Sequence, residues 1–307
     1  MKPYYTLSDY LKNVYGEKIY KIALDGGFTC PNRDGTLATG GCIFCSKGGS
    51  GEFAVPAQGL SIDQQITAGL SLFHEKKTGN SFIAYFQAYT NTYGPVSKLE
   101  KLYREALLHP CIVGISIATR PDCLGEEVLF LFSMLKKEFP HKFIWVELGL
   151  QTVSERTAAY IRRGYPLSVC TEAIKKLHAL SIPIILHLII GLPREGARQV
   201  LESIDYVNRQ AVFGVKLQLL HILKHTDLAE EYRLGRIHPL SKEEYLYILT
   251  SAITHLSPEI TVHRVTGDGP KELLLAPLWS LNKRDVLNSL HKKMKLEHAY
   301  QGKEFSI

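Results

Sequence analysis

Apolar positions along the chain fall into two alternating kinds of segment. Short runs rich in β-branched and aromatic residues recur: KIALDGG from 21, SFIAYFQ from 81, CIVGISIAT from 111, KFIWVELGL from 142, IPIILHLIIG from 182 and GVKLQLLHIL from 214. Each has the length and composition of a buried strand. From the second onward they begin 30, 31, 40 and 32 residues apart. Between them, LEKLYREALLH, EEVLFLFSMLKKEF, CTEAIKKLHALS and RQVLESIDYVNRQ carry apolar residues at helical spacing. Strands alternating with helices at this period predict βα units, a parallel sheet and right-handed crossovers. Six such units make an α/β fold, a partial (β/α)6 TIM-like barrel, with its chemistry at the C-terminal ends of the strands. The expected division is a partial barrel with an N-terminal extension over residues 1–240 and a helical and strand extension over 241–307.

A chain of 307 residues with 45% hydrophobic and 21% charged content can bury a sizeable core. The opening residues MKPYYTLSDYLKNVYG lack the apolar stretch of a secretion signal, and runs such as IPIILHLIIGLP are too short to span a bilayer. A cytoplasmic setting without a membrane partner is expected. In that reducing setting the six cysteines suit metal or redox duty where they cluster, and packing where they scatter, as Cys111, Cys123 and Cys170 do.

Three cysteines do cluster, at Cys30, Cys42 and Cys45, on a Gly-rich loop just after the first strand. A tetrahedral zinc site needs four ligands, and no second C-x2-C pair follows. A four-iron, four-sulfur cluster bound by three thiolates keeps one iron open for a small molecule. Both readings stand on spacing alone: an open cluster, or a zinc knuckle completed by a distant His or Cys.

The spacing C-x11-C-x2-C, with Phe44 before the last cysteine, resembles the radical S-adenosylmethionine (SAM) superfamily. IATRPDCL at 117–124, VELGLQT at 146–152, RRGY at 162–165, HLIIGLP at 187–193, the stretch 219–237 and VHRVTGD at 262–268 resemble its elongator-type members, which modify the wobble uridine of tRNA. YFQAYTNTY at 85–93 and the tail APLWSLNKRDVLNSLHKKM are similar to the bacterial YhcC/YtqA-type proteins. The resemblance covers almost the whole chain. It implies a 4Fe-4S cluster on Cys30, Cys42 and Cys45, and SAM cleaved to a 5′-deoxyadenosyl radical. It also implies a separate electron donor such as flavodoxin or ferredoxin.

Site roles follow from the same resemblance. Phe44 matches an aromatic beside the adenine, Gln151 a contact to the SAM ribose, and Arg163 the guanidinium that holds the SAM carboxylate. His187 departs from the acidic residue that relatives carry before GLP, and three roles stay open for it: ribose contact, proton donor or satisfied core histidine. The usual Gly-Gly-Glu stretch is also missing. Gln87, Thr90 and Asn91 stand in its place and offer polar replacements. Ala118 replaces a Glu that elongator-type enzymes carry.

Formal net charge is +6, and the tail concentrates it around Lys292, Lys293 and Lys295, interleaved with Trp279, His291, His298 and Tyr300. Cations mixed with stacking groups suit RNA phosphates and unpaired bases. The same segment also reads as an amphipathic helix that turns Leu281, Val286, Leu287 and Leu290 inward. The resemblance points to tRNA as the substrate, with a carboxymethylaminomethyl group on the wobble uridine converted to aminomethyl. A small-molecule substrate and a zinc-stabilised binding protein are the alternatives.

Overall fold

The apolar runs become the strands of one parallel sheet. In a computed structural model that describes residues 2–49, 51–55, 59–73, 79–267 and 269–306, six strands pair in sequence order. They are β1 (Tyr20–Leu24), β2 (Phe82–Phe86), β3 (Ile112–Thr119), β4 (Phe143–Gln151), β5 (Ile184–Ile190) and β6 (Gly214–Leu219). β7 (Ile222–Leu223) follows at once, β8 (Thr261–Arg264) pairs in parallel with β6, and β9 (Leu274–Ala276) pairs antiparallel with β7. β8 thus adds a seventh strand to the six expected. β1 and β8 are the sheet's two edges, so the curled sheet stays open along a seam.

The helices are α1 (Leu7–Tyr15), α2 (Ile62–Ser71), α3 (Val96–Leu108), α4 (Glu126–Glu138), α5 (Glu155–Tyr160), α6 (Leu167–Ala179), α7 (Ala197–Arg209), α8 (Asp227–Arg233), α9 (Lys242–His255) and α10 (Lys283–Leu296). The four helical stretches expected from spacing fall in α3, α4, α6 and α7. Local chemistry sets several starts: the side chains of Thr6, Ser61 and Ser241 each accept the third helical N–H, and their own backbone N–H donates back to that residue's side chain in a capping box. The last two helices share the main core through Tyr245, Leu249, Ile253, Val286, Leu290 and Met294. Leu281, expected to point inward, is exposed on the turn Leu278–Leu281 before α10, while Leu287 packs against the core.

Strand side chains alternate between the two faces of the sheet. Outward residues such as Ile22, Phe86, Ile115, Val146, Leu186 and Val215 pack in the main core. Inward residues stack in tiers, as in closed barrels. The lowest tier is apolar: Ile83, Trp145 and Ile185 meet Leu11 of α1, and Tyr10 meets Phe213 edge-on at 4.8 Å. Helix α1 therefore plugs the floor. Above it lies a polar tier of Lys21, Tyr85, Ser116, Glu147, His187 and Lys216, one residue from each of the six strands. Gln87, Ala118, Gln151 and Gln218 line the cavity above, beneath the cysteine loop. Among the described residues no helix is long and apolar enough to cross a membrane.

Candidate active site

The cysteine loop is folded back by its own polar groups. Cys45 N–H donates to Cys42 O at 3.0 Å, and Gly41 N–H to Asn32 O at 2.7 Å. Arg33 donates to the carbonyls of Cys45 and Ser46. Between the two last cysteines, Ile43 is buried with Ile161, Leu192 and Leu228, and Phe44 packs partly on the same cluster. That anchor turns Cys42 and Cys45 the other way, to join Cys30 on the wall of one cavity at the C-terminal ends of the strands. Burial pushes the Cys42 thiol up to about 11, reinforced by the neighbouring Cys45, and burial also raises Cys45. Cys111, Cys123 and Cys170 stand outside this cavity's lining.

Phe44, Gln87, Gln151, Arg163 and His187 all line the same cavity. Their side chains differ in how far they are already committed. Arg163 is 1% exposed. It donates to Tyr165 O at 2.9 Å, Leu150 O at 3.0 Å, Thr152 O at 2.7 Å and Glu155 Oε2 at 3.3 Å. The guanidinium therefore ties the end of β4 to the turn after α5. The adjoining Gly164 has φ +84°, and a Cβ there would stand 2.6 Å from Asn32 Oδ1, so only glycine admits this approach. Asn32 in turn donates to the carbonyls of Arg162 and Arg163, joining the cysteine loop to RRGY. Gln151 sits at a bulge with φ +61°, and its side-chain amide, assigned with the nitrogen toward them, donates to the carbonyls of Gly149 and Leu150 at 3.0 Å.

The stand-ins for the missing Gly-Gly-Glu stretch separate. Gln87 and Thr90 line the cavity. Asn91 is fully buried, and its amide donates to Phe86 O and Ala118 O at 3.1 and 2.9 Å, which staples the ends of β2 and β3. The Asn91 amide nitrogen is spent on this staple, its Oδ1 is buried without a partner among the described residues, and of the three stand-ins Gln87 and Thr90 are the two that line the cavity.

His187 belongs to the polar tier beneath. Its Nε2 lies 2.7 Å from Glu147 Oε2 and its Nδ1 3.3 Å from Gln218 Nε2. Burial first, then the Lys216 ammonium, pushes His187 down to about 4, so the ring is neutral at pH 7. Neutrality assigns the proton to Nε2, which donates to the carboxylate, and leaves Nδ1 to accept from Gln218. Both ring nitrogens are thus engaged within the tier, while the ring also lines the cavity above.

Sequence reasoning missed the centre of this tier. Glu147, with no exposure, accepts from Lys21 Nζ at 2.5 Å, Ser116 Oγ at 2.6 Å, His187 and Lys216. Burial opposes its charge, but Lys21 and Lys216 outweigh burial and hold the carboxyl well below the usual range. Lys216 also bonds Tyr85 Oη at 3.0 Å, and burial draws it down to about 7. A signal was present: a lone charge in the middle of a buried strand, as in FIWVELGL and GVKLQL, has to find partners on other strands.

The lysines of α10 are elsewhere. Lys242 and Asp285 pair at the N-terminal ends of α9 and α10, while the tail after α10 bonds back to Ile253 and Thr254 at the end of α9. The two helices thus run side by side, and Lys292, Lys293 and Lys295 lie toward the start of β8, the end opposite the cysteines. Lys293 pairs with Glu297, and Lys292 and Lys295 are exposed. Asp268, the last residue of VHRVTGD, lies outside the described residues.

Two family descriptions match the chain: the radical SAM superfamily over residues 33–207, and the radical SAM C-terminal domain over residues 212–296. The chain belongs to the radical SAM superfamily. Within it the chain is a YhcC/YtqA-type protein: it is 43% identical to YtqA of Bacillus subtilis over 99% of this chain and 93% of that one. It is 36% identical to YhcC of Escherichia coli over 94% of this chain and 91% of that one. A more distant match is the tRNA uridine(34) acetyltransferase of Methanocaldococcus jannaschii, 25% identical over 58% of this chain and 33% of that one. The archaeal Methanocaldococcus infernus Elp3 structure shares the fold, with a TM-score of 0.68 at 14% identity over 92% of this chain and 64% of that one. Radical SAM proteins use a 4Fe-4S cluster and SAM, and so does this one. The donor types fit, three soft and half-buried thiols lining one cavity with polar Gln87, Thr90 and Gln151 around the remaining space, although among the described residues no three ligating side chains stand gathered closely enough to hold a metal ion as they are.

Proposed function

We propose that this radical SAM enzyme acts on tRNA in the cytoplasm and converts a carboxymethylaminomethyl group on the wobble uridine to aminomethyl. The observation behind the reading is the meeting of Cys30, Cys42 and Cys45 with the barrel's polar interior on one cavity. The tRNA part is supported by relatives, one of them named for uridine 34 of tRNA.

In this reading Cys30, Cys42 and Cys45 hold the cluster. Phe44 offers a ring edge to the adenine. Gln87, Thr90 and Gln151 offer polar contacts to the rest of SAM, and Arg163 holds the strand end that carries Gln151. Cluster and SAM together supply a 5′-deoxyadenosyl radical, with the first electron from a flavodoxin- or ferredoxin-type donor. The chain's own task is to exclude water and to present the right C–H bond. In the substrate that bond lies on the carbon between amine and carboxylate. Two-electron oxidation there, with SAM taking up both electrons overall and the donor's electron returned, would leave an imine and a released proton, and water would then cleave the two-carbon fragment from the nitrogen as an aldehyde acid.

Nucleoside mass spectrometry of tRNA from a deletion strain tests the reading. Accumulated carboxymethylaminomethyluridine is the expected result, and a nucleoside profile identical to the parent's refutes it.

A further inference from the structure

The polar tier holds two ammonium groups on one carboxylate. Lys21 and Lys216 both bond Glu147, whose remaining contacts, Ser116 and His187, are neutral. Buried like charges repel, and a low-dielectric interior tolerates an excess charge only when it is matched. Lys216 is 4% exposed. Of its three N–H donors, one goes to Glu147 and one to Tyr85, and the third has no acceptor among the described residues.

Lys216 also stands where two cavities meet. The cavity with the three cysteines reaches it from the C-terminal ends of the strands, and a second, lined by Lys21, Tyr85 and His263, reaches it through the seam between β1 and β8. Arg264 lines both and adds to the positive potential there. Two ammonium groups on one carboxylate, a neighbouring guanidinium, one free donor on Lys216 and open space describe a receptor for an anion.

We propose that the barrel interior binds a carboxylate of the substrate, received by Lys216 between the two cavities. The proposal rests on reading the cavity as a radical enzyme's substrate site, and it deepens that reading by naming the residue that receives the substrate's carboxylate. A carboxylate offsets the excess of positive charge, and its oxygens accept what Lys216 has left to give. Burial is what makes Lys216 selective: an uncharged isostere leaves the ammonium desolvated and unmatched. SAM carries a carboxylate too, so the test separates the two sources.

The experiment is calorimetric titration of the anaerobic holoenzyme, with SAM present, by N-benzylglycine and by its carboxamide at pH 6.5. The acid is expected to bind at least ten-fold more tightly, and equal affinities overturn the proposal. In Lys216→Met the preference should fall below three-fold while SAM affinity holds. A preference kept in that variant overturns the proposal, and a parallel loss of SAM affinity assigns the anion to SAM and overturns it as well. Lys216→Arg keeps the charge and should keep the preference, and the wild-type comparison stands even if Lys216→Met fails to fold. The probe contains no nucleoside. Acid preference can therefore persist when tRNA nucleosides are unchanged in a deletion strain, which separates failure of the tRNA reading from failure of this one.

Discussion

Replacing Glu147 by Gln keeps the shape of the polar tier and removes the charge that holds it. The variant loses charge-assisted bonds to Lys21 and Lys216 and weakens those to Ser116 and His187. Truncating one partner of a buried pair costs about 3 to 5 kcal/mol when the other must stay charged. Here it need not stay charged, because Lys216 already sits at about 7. With the carboxylate gone its folded value falls further, so the ammonium gives up its proton instead of staying buried and unmatched. At pH 8.5 Lys216 is neutral in both proteins, and the cost is the lost Lys21 ion pair together with the weakened hydrogen bonds, roughly 3 kcal/mol. The sign of the pH dependence follows. Lys216 is depressed from 10.5, so its share of stability is full above the unfolded value and shrinks as pH falls, until the folded value is passed. The parent passes that point near pH 7, the variant at lower pH. Below pH 7 the gap between them should therefore widen by roughly 1 to 1.5 kcal/mol per pH unit. Urea unfolding of both proteins at pH 6, 7 and 8.5 measures this. A gap that stays constant between pH 6 and 8.5 would refute the reasoning, because it would mean that Lys216 does not titrate in response to Glu147.

Three further outcomes are expected. Cys42→Ala should abolish the visible absorption of the reconstituted cluster, since two thiolates leave the site incomplete, whereas Cys170→Ala should keep it at a packing cost of about 1 to 2 kcal/mol. Arg163→Lys should lower the thermal midpoint, by about 2 to 4 kcal/mol in unfolding free energy, because an ammonium cannot reach Tyr165, Leu150 and Thr152 together; an unchanged midpoint would contradict the clamp. If Lys292, Lys293 and Lys295 touch tRNA, their triple replacement by Gln should reduce the slope of log affinity against log salt by up to about 3, and an unchanged slope leaves α10 as a wall helix alone.

Six strands of the sheet, most of the helices between them and the place of the cysteine loop were legible in the chain before it was folded. Those features are local: an apolar run of five to nine residues or a helical stripe is complete within its own segment. The three-cysteine spacing is local too, so the cluster loop was legible before any fold was known. Which residues meet is settled by packing alone. Lys21 and Lys216 are separated by most of the chain, yet share Glu147 because six strands curl and present one inward residue each to the same tier. Alternation gives a face to each residue but no partner to any. The fold likewise committed Asn91 and Arg163 to backbone carbonyls, work that a motif cannot show because the acceptors are main-chain atoms common to every residue. It also carried the lysines of α10 away from the cysteines, since two helices side by side put the end of the second at the far end of the barrel. Charge balance in a buried tier and direction along a helix pair are properties of packing in three dimensions, and a linear pattern fixes neither.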